Sequence, residues 1–199
     1  MQQDNEWSRR LSERLFEQRV VLLHGELDDE SASRATAELM SLDASGDAAV
    51  SLRLDCGSGS LALALTLMDV IALLGVPVRG LGLGQIGGPA VGILAVCTHR
   101  AAMPSTRFML CEPRTQMGEA RASDVARWAE MRADERRRFC DRIAEAAGQP
   151  PDAVSDEVTA GRYLSAEEAQ AYGLIDEICR PEAEIHQLPG PPIGFRPRR

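Results

Sequence analysis

The chain alternates between short apolar segments and longer segments in which apolar residues recur at helical spacing. The clearest strand signal is formed by Val50, Leu52 and Leu54, which alternate with the polar residues Ser51 and Arg53. Further apolar segments of strand length span residues 19–23, 76–81 and 174–178. Strands that are separated by helical segments in this way predict an α/β fold.

Local signals define the ends of several elements. Asp28 is predicted to cap a helix, and Ser165 and Glu168 form a capping box for another helix that ends at Gly173. A long charged helix is predicted over about residues 122–147. Two segments that follow strands are predicted to be turns, residues 55–59 and residues 82–87.

Length and composition indicate one domain. The chain has 199 residues, of which 44% are hydrophobic and 26% are charged, a balance that suits a single buried core. The last 19 residues hold five of the 11 prolines. We therefore predict one domain over residues 1–178 and a proline-rich C-terminal tail over residues 179–199.

The charge of the chain excludes several functions. The net charge is −8, which disfavours nucleic acid and anionic membranes as partners. All 22 cationic residues are arginine. A chain without lysine cannot form a Schiff base, a Ser/Lys dyad or a phosphate-binding P-loop.

The cysteines and the N-terminus predict a cytoplasmic protein. The five cysteines lie far apart, with no C-x-x-C pair and no zinc-type spacing to histidine. They are Cys56, Cys97, Cys111, Cys140 and Cys179. The N-terminus has no signal-peptide pattern, and no apolar segment is long enough to span a bilayer. We expect reduced thiols, no bound metal and no cofactor.

Two local patterns could carry chemistry, and each has a structural explanation. Residues 82–87 match G-x-G-x-x-G after a predicted strand, as in a dinucleotide-binding turn, but no ribose-binding carboxylate stands at the expected distance. Cys56, Ser58 and Ser60 could supply a nucleophile, which would need a base. The imidazoles of the chain are His24, His99 and His186. Strand-end or surface histidines and turn serines are the favoured interpretation, and Cys111, directly after an apolar strand, is expected to be buried and inert.

Several motifs of the chain match those of a known protein family, over about residues 11–178. They include Arg19-Val20-Val21-Leu22-Leu23 and Gly84-Gln85. The most specific part runs from Gly148-Gln149-Pro150 through Leu164-Ser165-Ala166-Glu167-Glu168-Ala169 to Tyr172-Gly173-Leu174-Ile175-Asp176. In these motifs the chain resembles the ClpP family, the peptidase subunits of ATP-dependent Clp proteases. Membership implies the ClpP/crotonase-like β-α spiral fold.

The resemblance also implies where catalytic residues would stand. The family serine in G-Q-A-A-S-M-G falls on Gly88, the histidine falls on Cys111, and the aspartate falls on Gly161. Of the two positions that form the oxyanion hole in the family, Gly59 remains, whereas the position after the serine is Pro89, which has no N–H. The sequence thus predicts a degenerate member without catalytic residues.

These departures favour a non-catalytic ClpP-like subunit, either a partner or a regulator of active Clp peptidase subunits. The expected assembly is a homo-oligomer or a hetero-oligomer with such subunits, with a Clp unfoldase as a further partner. Two alternatives stay open. One is a homo-oligomeric scaffold or binding protein unrelated to proteolysis. The other is an enzyme, either a repurposed crotonase-fold acyl-CoA enzyme or a thiol enzyme that uses Cys111.

The C-terminal tail contains a second motif. Ile193-Gly194-Phe195 is similar to the tripeptide with which Clp unfoldases dock between ClpP subunits. The surrounding prolines favour an extended arm. Two interpretations stay open: a disordered terminus, which is the more frequent role of such a segment, and docking of these three residues into such a cleft, on the protein's own ring or on a partner.

Overall fold

The computed structural model describes residues 12–112 and 121–179, which form a mixed α/β fold. A mostly parallel seven-stranded sheet has the order β1-β2-β3-β4-β7, and β5 joins β3 to β6. The strands are β1 (Val20–Leu27), β2 (Val50–Gly59), β3 (Val78–Gly87), β4 (His99–Ala102), β5 (Arg107–Leu110), β6 (Arg162–Leu164) and β7 (Glu177–Ile178). The α/β prediction is confirmed.

Within the described residues, six helices connect these strands. They are α1 (Asp29–Ala44), α2 (Leu61–Leu73), α3 (Pro89–Ala95), α4 (Ala122–Ala147), α5 (Pro151–Ala160) and α6 (Ala166–Tyr172). Helix α4 occupies the stretch for which the sequence predicts a long helix. The predicted boundary between domain and tail stays a prediction, because the segment from residue 180 onwards, with Ile193-Gly194-Phe195, lies outside the described residues.

The predicted helix caps are confirmed. The Asp28 carboxylate accepts the N–H of Ser31 at 2.8 Å at the start of α1. At the start of α6, the Ser165 hydroxyl accepts the N–H of Glu168, and the Glu168 carboxylate accepts the N–H of Ser165 at 2.7 Å. Gly173 ends α6 with φ +92°, a left-handed conformation that glycine adopts readily.

The two predicted turns are wrong, because both segments are strand. Residues 55–59 continue β2, and residues 82–87 are the second half of β3. Gly82 pairs with Leu54 on one side and Ala102 on the other. Hydrogen bonds to two neighbouring strands outweigh the poor strand propensity of glycine. β1 likewise extends to Leu27, whereas β7 covers two residues of the predicted 174–178.

The helices cover one face of the sheet, which we call the inner face. Side chains of alternating strand residues, such as Leu23 and Leu54, are fully buried there. Helix α4 joins this core through its second half, where Phe139 and Ile143 are buried. Val125, in the first half of the helix, is 45% exposed and lies outside the core.

The opposite face of the sheet, the outer face, carries several exposed side chains in the described part of the chain. Its side chains come from residues that alternate with the buried ones, and among them Leu22, Arg53 and Arg79 are exposed. No helix in residues 12–112 or 121–179 is long and apolar enough to cross a membrane.

Candidate functional site

A cleft of about 880 Å³ opens where the carboxyl ends of β1, β2 and β3 meet. It is lined by Gly59, Gly88, Pro89, Cys111 and Gly161, together with other residues. Carboxyl ends of parallel strands are the usual position of binding sites in α/β folds. The structure therefore brings together all five positions that the family resemblance singles out.

Gly88 stands at a sharp turn between β3 and α3. It has φ +48° and ψ −119°, and Pro89 begins the helix directly after it. A Cβ atom on Gly88 would lie 3.5 Å from the Cys111 sulfur. A side chain at position 88 would therefore point at the side chain of residue 111, as a nucleophile points at its base.

Backbone donors are scarce at this turn. The N–H of Gly88 donates to the carbonyl of Met109 at 2.9 Å, which ties the turn to β5. Pro89 has no N–H. The sharp turn at Gly88 therefore offers neither a hydroxyl nor an amide N–H from the following residue.

Gly59 has a packing reason to be glycine. It has φ +148°, and a Cβ atom there would lie 2.4 Å from the Cβ of Leu27 and 2.6 Å from its carbonyl oxygen. The next residue, Ser60, donates its N–H to the same carbonyl at 3.0 Å and caps α2. Close approach of β1 thus explains this glycine whether or not its amide faces a ligand.

Gly161 gives no carboxylate to the cleft. It ends α5 with φ +77°, and a Cβ atom on it would have no heavy atom within 4 Å. The nearby Glu157 is held by an ion pair with Arg162. Arg162 in turn lies 5.3 Å from the ring centre of Tyr172, whose pKa is raised by burial and by the neighbouring Glu157. This carboxylate therefore has a structural partner.

Cys111 is half-buried and lines the cleft, so the expectation of a buried thiol at this position is wrong. The strand β5 ends one residue earlier, which places Cys111 on the cleft wall. Cys56, a candidate nucleophile by sequence, is instead fully buried in β2, and burial raises its pKa to about 11. Burial likewise raises the pKa of Cys97 to about 12.

The histidines of the described chain lie elsewhere. The His24 Nδ1 atom is 3.2 Å from the Asp55 carboxylate on the outer face, and the other Asp55 oxygen accepts the N–H of Gln85. His99 Nε2 is 3.3 Å from Glu177 at the far edge of the sheet. Among the residues that the structure describes, no imidazole lines the cleft.

Charged side chains surround the cleft, and sequence reasoning did not place them there. They are Glu26, Asp28, Asp29, Glu112 and Arg132. Arg132 comes from α4, where its guanidinium bonds Glu135 at 2.8 Å and lies 5.4 Å from the centre of the Trp128 ring. The spacing of Arg132 along its helix is visible in the sequence, but the packing of that helix beside the cleft is not.

Two further chemistries find no support in the geometry. The G-x-G-x-x-G segment is an extended strand, so it is not a phosphate-binding turn at a helix start. Its glycines allow close approach instead, since a Cβ on Gly84 would lie 2.5 Å from the Asp55 carboxylate and one on Gly87 would lie 2.4 Å from the Gly57 carbonyl. In the described ranges, no three His, Cys, Asp or Glu side chains are grouped as metal ligands would be.

Comparison with known proteins identifies the family. A family model described as Clp protease matches residues 2–182. The chain is 33% identical to ATP-dependent Clp protease proteolytic subunit 3 of Streptomyces coelicolor, over 88% of this chain and 82% of the relative. It is 31% identical to proteolytic subunit 2 of Thermobifida fusca, over 84% of this chain and 83% of the relative. Proteolytic subunit 2 of Streptomyces coelicolor is 28% identical, over 83% of this chain and 77% of the relative.

The match spans nearly the whole chain and agrees with the mostly parallel sheet and its helices. The ClpP/crotonase-like fold is thereby confirmed. The chain belongs to the Clp protease family.

Proposed function

We propose that this chain is a non-catalytic subunit of a Clp peptidase assembly, where it accompanies or regulates active subunits. The observation that carries the proposal is the sharp turn at Gly88, the position on which the family serine falls by resemblance, because the turn has neither a hydroxyl nor, at Pro89, a following N–H. Acyl transfer needs a nucleophile, a base within hydrogen-bond reach and donors for the developing oxyanion.

Magnitudes support the loss of peptidase activity. Removal of a catalytic triad leaves about 10³–10⁴ of rate acceleration over water, through the oxyanion hole and binding. Loss of one oxyanion donor lowers the rate by a further 10²–10³ or so. An acceleration on the order of tenfold remains, which is too small for a working protease.

The relatives support an assembly with other subunits. Streptomyces coelicolor has numbered proteolytic subunits 2 and 3 that both resemble this chain, so more than one such subunit occurs in a single organism. We propose a hetero-oligomer with active subunits in the cytoplasm. A Clp unfoldase is the further partner that such an assembly implies.

A thiol enzyme is the second candidate, because Cys111 is half-buried in the cleft beside Gly88. Thiol catalysis needs a thiolate, which neighbouring cations or an imidazole usually stabilise. The imidazoles of the described chain lie outside the cleft, and Arg132, which lines the cleft, already bonds Glu135. A thiol enzyme is therefore the second candidate, and substitution of Cys111 tests it directly.

The test is native mass spectrometry of the purified chain, alone and mixed with an active Clp peptidase subunit of the same organism. We expect mixed oligomers in which a fluorophosphonate probe labels the active subunit and leaves this chain unlabelled. Hydrolysis of fluorogenic peptides by the chain alone should equal the buffer rate. Labelling of a specific serine of this chain, or failure to form mixed oligomers, would contradict the proposal.

A matched pair of variants tests the thiol candidate. Cys111→Ala removes the thiol in the cleft, and Cys179→Ala removes another half-buried thiol outside it. Both variants should behave as the wild type in peptide and thioester hydrolysis. A turnover that Cys111→Ala abolishes and Cys179→Ala preserves would establish a thiol enzyme, and tight binding of a CoA ester in calorimetry would favour the acyl-CoA alternative.

A further inference from the structure

A second cavity, which we call the side cavity, opens beside the cleft, between α4, α5 and the start of α2. Its volume is about 470 Å³, and it shares Leu61, Glu112 and Arg132 with the cleft. None of the five positions that the family resemblance singles out lines it. Cavities of roughly 300–1,000 Å³ with apolar walls and a few polar groups are the usual form of small-molecule sites. The side cavity therefore has the size of a binding site that those five positions do not account for.

Arg136, on α4, brings a positive charge to the side cavity. Its Nη1 atom donates to the Thr159 hydroxyl at 2.7 Å, and this hydroxyl donates to the carbonyl of Ser155 at 2.8 Å. Within residues 12–112 and 121–179, no carboxylate pairs with Arg136. A guanidinium has several N–H groups, so Arg136 is held in place by one of them and keeps others for a carboxylate.

Glu112 brings the opposite charge. Its N–H donates to the carbonyl of Val158 at 3.1 Å, which fixes the backbone beside α5, and its carboxylate has no cationic partner in the described ranges. Both charges act on the thiol of Cys140. Burial raises the pKa of this thiol, Arg136 opposes the rise, and Asp141 and Glu112 add to it. Arg136 and Glu112 thus lie near the same point of the structure without forming an ion pair with each other.

The other arginine of the side cavity, Arg132, already has a counter-charge. Its guanidinium bonds Glu135 at 2.8 Å and lies 5.4 Å from the centre of the Trp128 ring. The described walls therefore carry one unpaired positive charge and one unpaired negative charge. A ligand with one charge of each sign fits them best, because a simple anion leaves Glu112 without a partner and a simple cation leaves Arg136 without one.

The rest of the described wall is apolar. It is formed by Leu61, the half-buried Trp128, Ala129 and Ala133. Burial of apolar surface against a leucine and an indole ring stabilises a complex by an amount that grows with the area buried. The ligand that fits these walls therefore has an apolar body beside its two charges.

We propose that the side cavity binds a zwitterion with an apolar body, the chemistry of a free apolar amino acid and of a short peptide with two free ends. The ligand carboxylate pairs with Arg136, its ammonium group pairs with Glu112, and its apolar body packs against Leu61 and Trp128. This inference does not depend on the proposed function, because none of its residues is one of the five catalytic positions of the resemblance. Its failure would leave the test by native mass spectrometry unaffected.

The experiment measures binding of leucyl-leucine to the full chain. The chain has two tryptophans, so Trp7→Phe leaves Trp128 as the only source of tryptophan fluorescence, and calorimetry gives a second readout. We expect leucyl-leucine to change the Trp128 emission. N-acetyl-leucyl-leucine, which lacks the ammonium group, and leucyl-leucinamide, which lacks the carboxylate, should each bind about tenfold more weakly.

Variants assign each charge of the ligand to its residue. Arg136→Gln should weaken leucyl-leucine about tenfold and leave the affinity for leucyl-leucinamide unchanged, since the amide has no carboxylate to lose. Glu112→Gln should weaken leucyl-leucine similarly and leave N-acetyl-leucyl-leucine unchanged. Arg137→Gln and Glu130→Gln are the matched controls, because both residues are exposed on α4 outside the side cavity, and both should bind leucyl-leucine as the unaltered protein does.

A comparison of leucine with leucyl-leucine identifies the source of the zwitterion. Tighter binding of leucine assigns the side cavity to a free amino acid, and tighter binding of leucyl-leucine assigns it to a short peptide. Either result supports the proposal.

Three outcomes would overturn the inference. The first is equal binding of the free and the blocked dipeptides to the unaltered protein, which needs no variant to fold. The second is a loss of affinity in Arg136→Gln and Glu112→Gln that is no greater than in the two control variants. The third is the absence of both a change in Trp128 emission and a calorimetric signal with leucine and with leucyl-leucine.

Discussion

At the scale of single residues, several glycines are explained by what stands next to them. Gly59, Gly84 and Gly87 lie where a Cβ would come within 2.6 Å of a neighbouring strand or side chain. Gly92 serves the same purpose between helices, since a Cβ there would lie 2.3 Å from the Phe139 ring. These positions are glycine because neighbouring atoms leave no space for a side chain, and not because the backbone has to be flexible there.

A pair of substitutions isolates this packing effect. Gly59 and Gly46 have nearly the same backbone angle, φ +148° and φ +147°, but a Cβ on Gly46 would have no atom within 4 Å. Both Gly→Ala changes introduce backbone strain of about 1–3 kcal/mol. Gly59→Ala should lower the free energy of unfolding by a further 1–3 kcal/mol or so, because the new methyl group overpacks Leu27. Equal losses in urea unfolding of the two variants would refute the packing explanation.

The cleft supplies a second prediction at this scale. Gly88→Ser with Cys111→His places a hydroxyl and an imidazole side by side, but Pro89 still offers no N–H and Gly161 no carboxylate. We expect the double variant to hydrolyse fluorogenic peptides at the background rate, with an active Clp peptidase subunit as the positive control. Robust turnover would show that these positions are assigned incorrectly.

At the scale of elements, the accuracy of sequence reasoning depends on whether an element is specified locally. The caps at Asp28 and Ser165 are predictable because the residues that form each cap lie within three positions of each other. The strand character of residues 82–87 is not predictable from composition, because pairing with β2, β4 and β5 overrides the preference of glycine for turns.

In the candidate site, too, some contacts are predictable from the sequence and others are not. The meeting of Gly88 and Cys111 follows from the family resemblance, which carries information about distant contacts. The approach of Arg132 to the cleft depends on the packing of α4, and the pairing of His24 with Asp55 depends on strand register. Neither of these two contacts can be recognised from the spacing of residues along the sequence.

Loss of the α6 capping box should have a measurable effect. Ser165→Ala removes the acceptor for the Glu168 N–H, which should lower the free energy of unfolding by about 1 kcal/mol. Ser105→Ala, at an exposed turn serine, serves as the control and should change stability by less than about 0.5 kcal/mol. Similar effects of the two substitutions in thermal unfolding would argue against the cap.

At the scale of the whole molecule, one arginine in the sheet binds the C-terminal part of the chain, which is distant in sequence. Arg100 in β4 donates to the carbonyl of Ala146 in α4 at 2.8 Å and to that of Gly173 after α6 at 2.9 Å. It also bonds Asp176, next to β7, through its side chain and its N–H. These bonds hold the C-terminal helices onto the sheet.

This arrangement predicts acid sensitivity. The hydrogen bonds from Arg100 lower the pKa of Asp176 below its ordinary value of 3.8. A carboxylate with a depressed pKa in the folded state stabilises the protein above the unfolded-state pKa, and this contribution disappears as the pH falls through the folded-state pKa. Asp176→Asn should therefore destabilise the protein at neutral pH and reduce the loss of stability below about pH 4. Parallel curves of unfolding free energy against pH for the two proteins would contradict this.

The backbone at Gly88 has an evolutionary consequence. Its φ of +48° and ψ of −119° are angles that glycine adopts with little strain. A serine held there would store about 1–3 kcal/mol, which an active enzyme tolerates for the sake of its reaction. A change from serine to glycine at such a turn removes the nucleophile and also removes this strain, which raises the melting temperature. Where the activity is not under selection, selection for stability retains the glycine, and the return to an active enzyme requires a mutation that lowers stability before it restores activity.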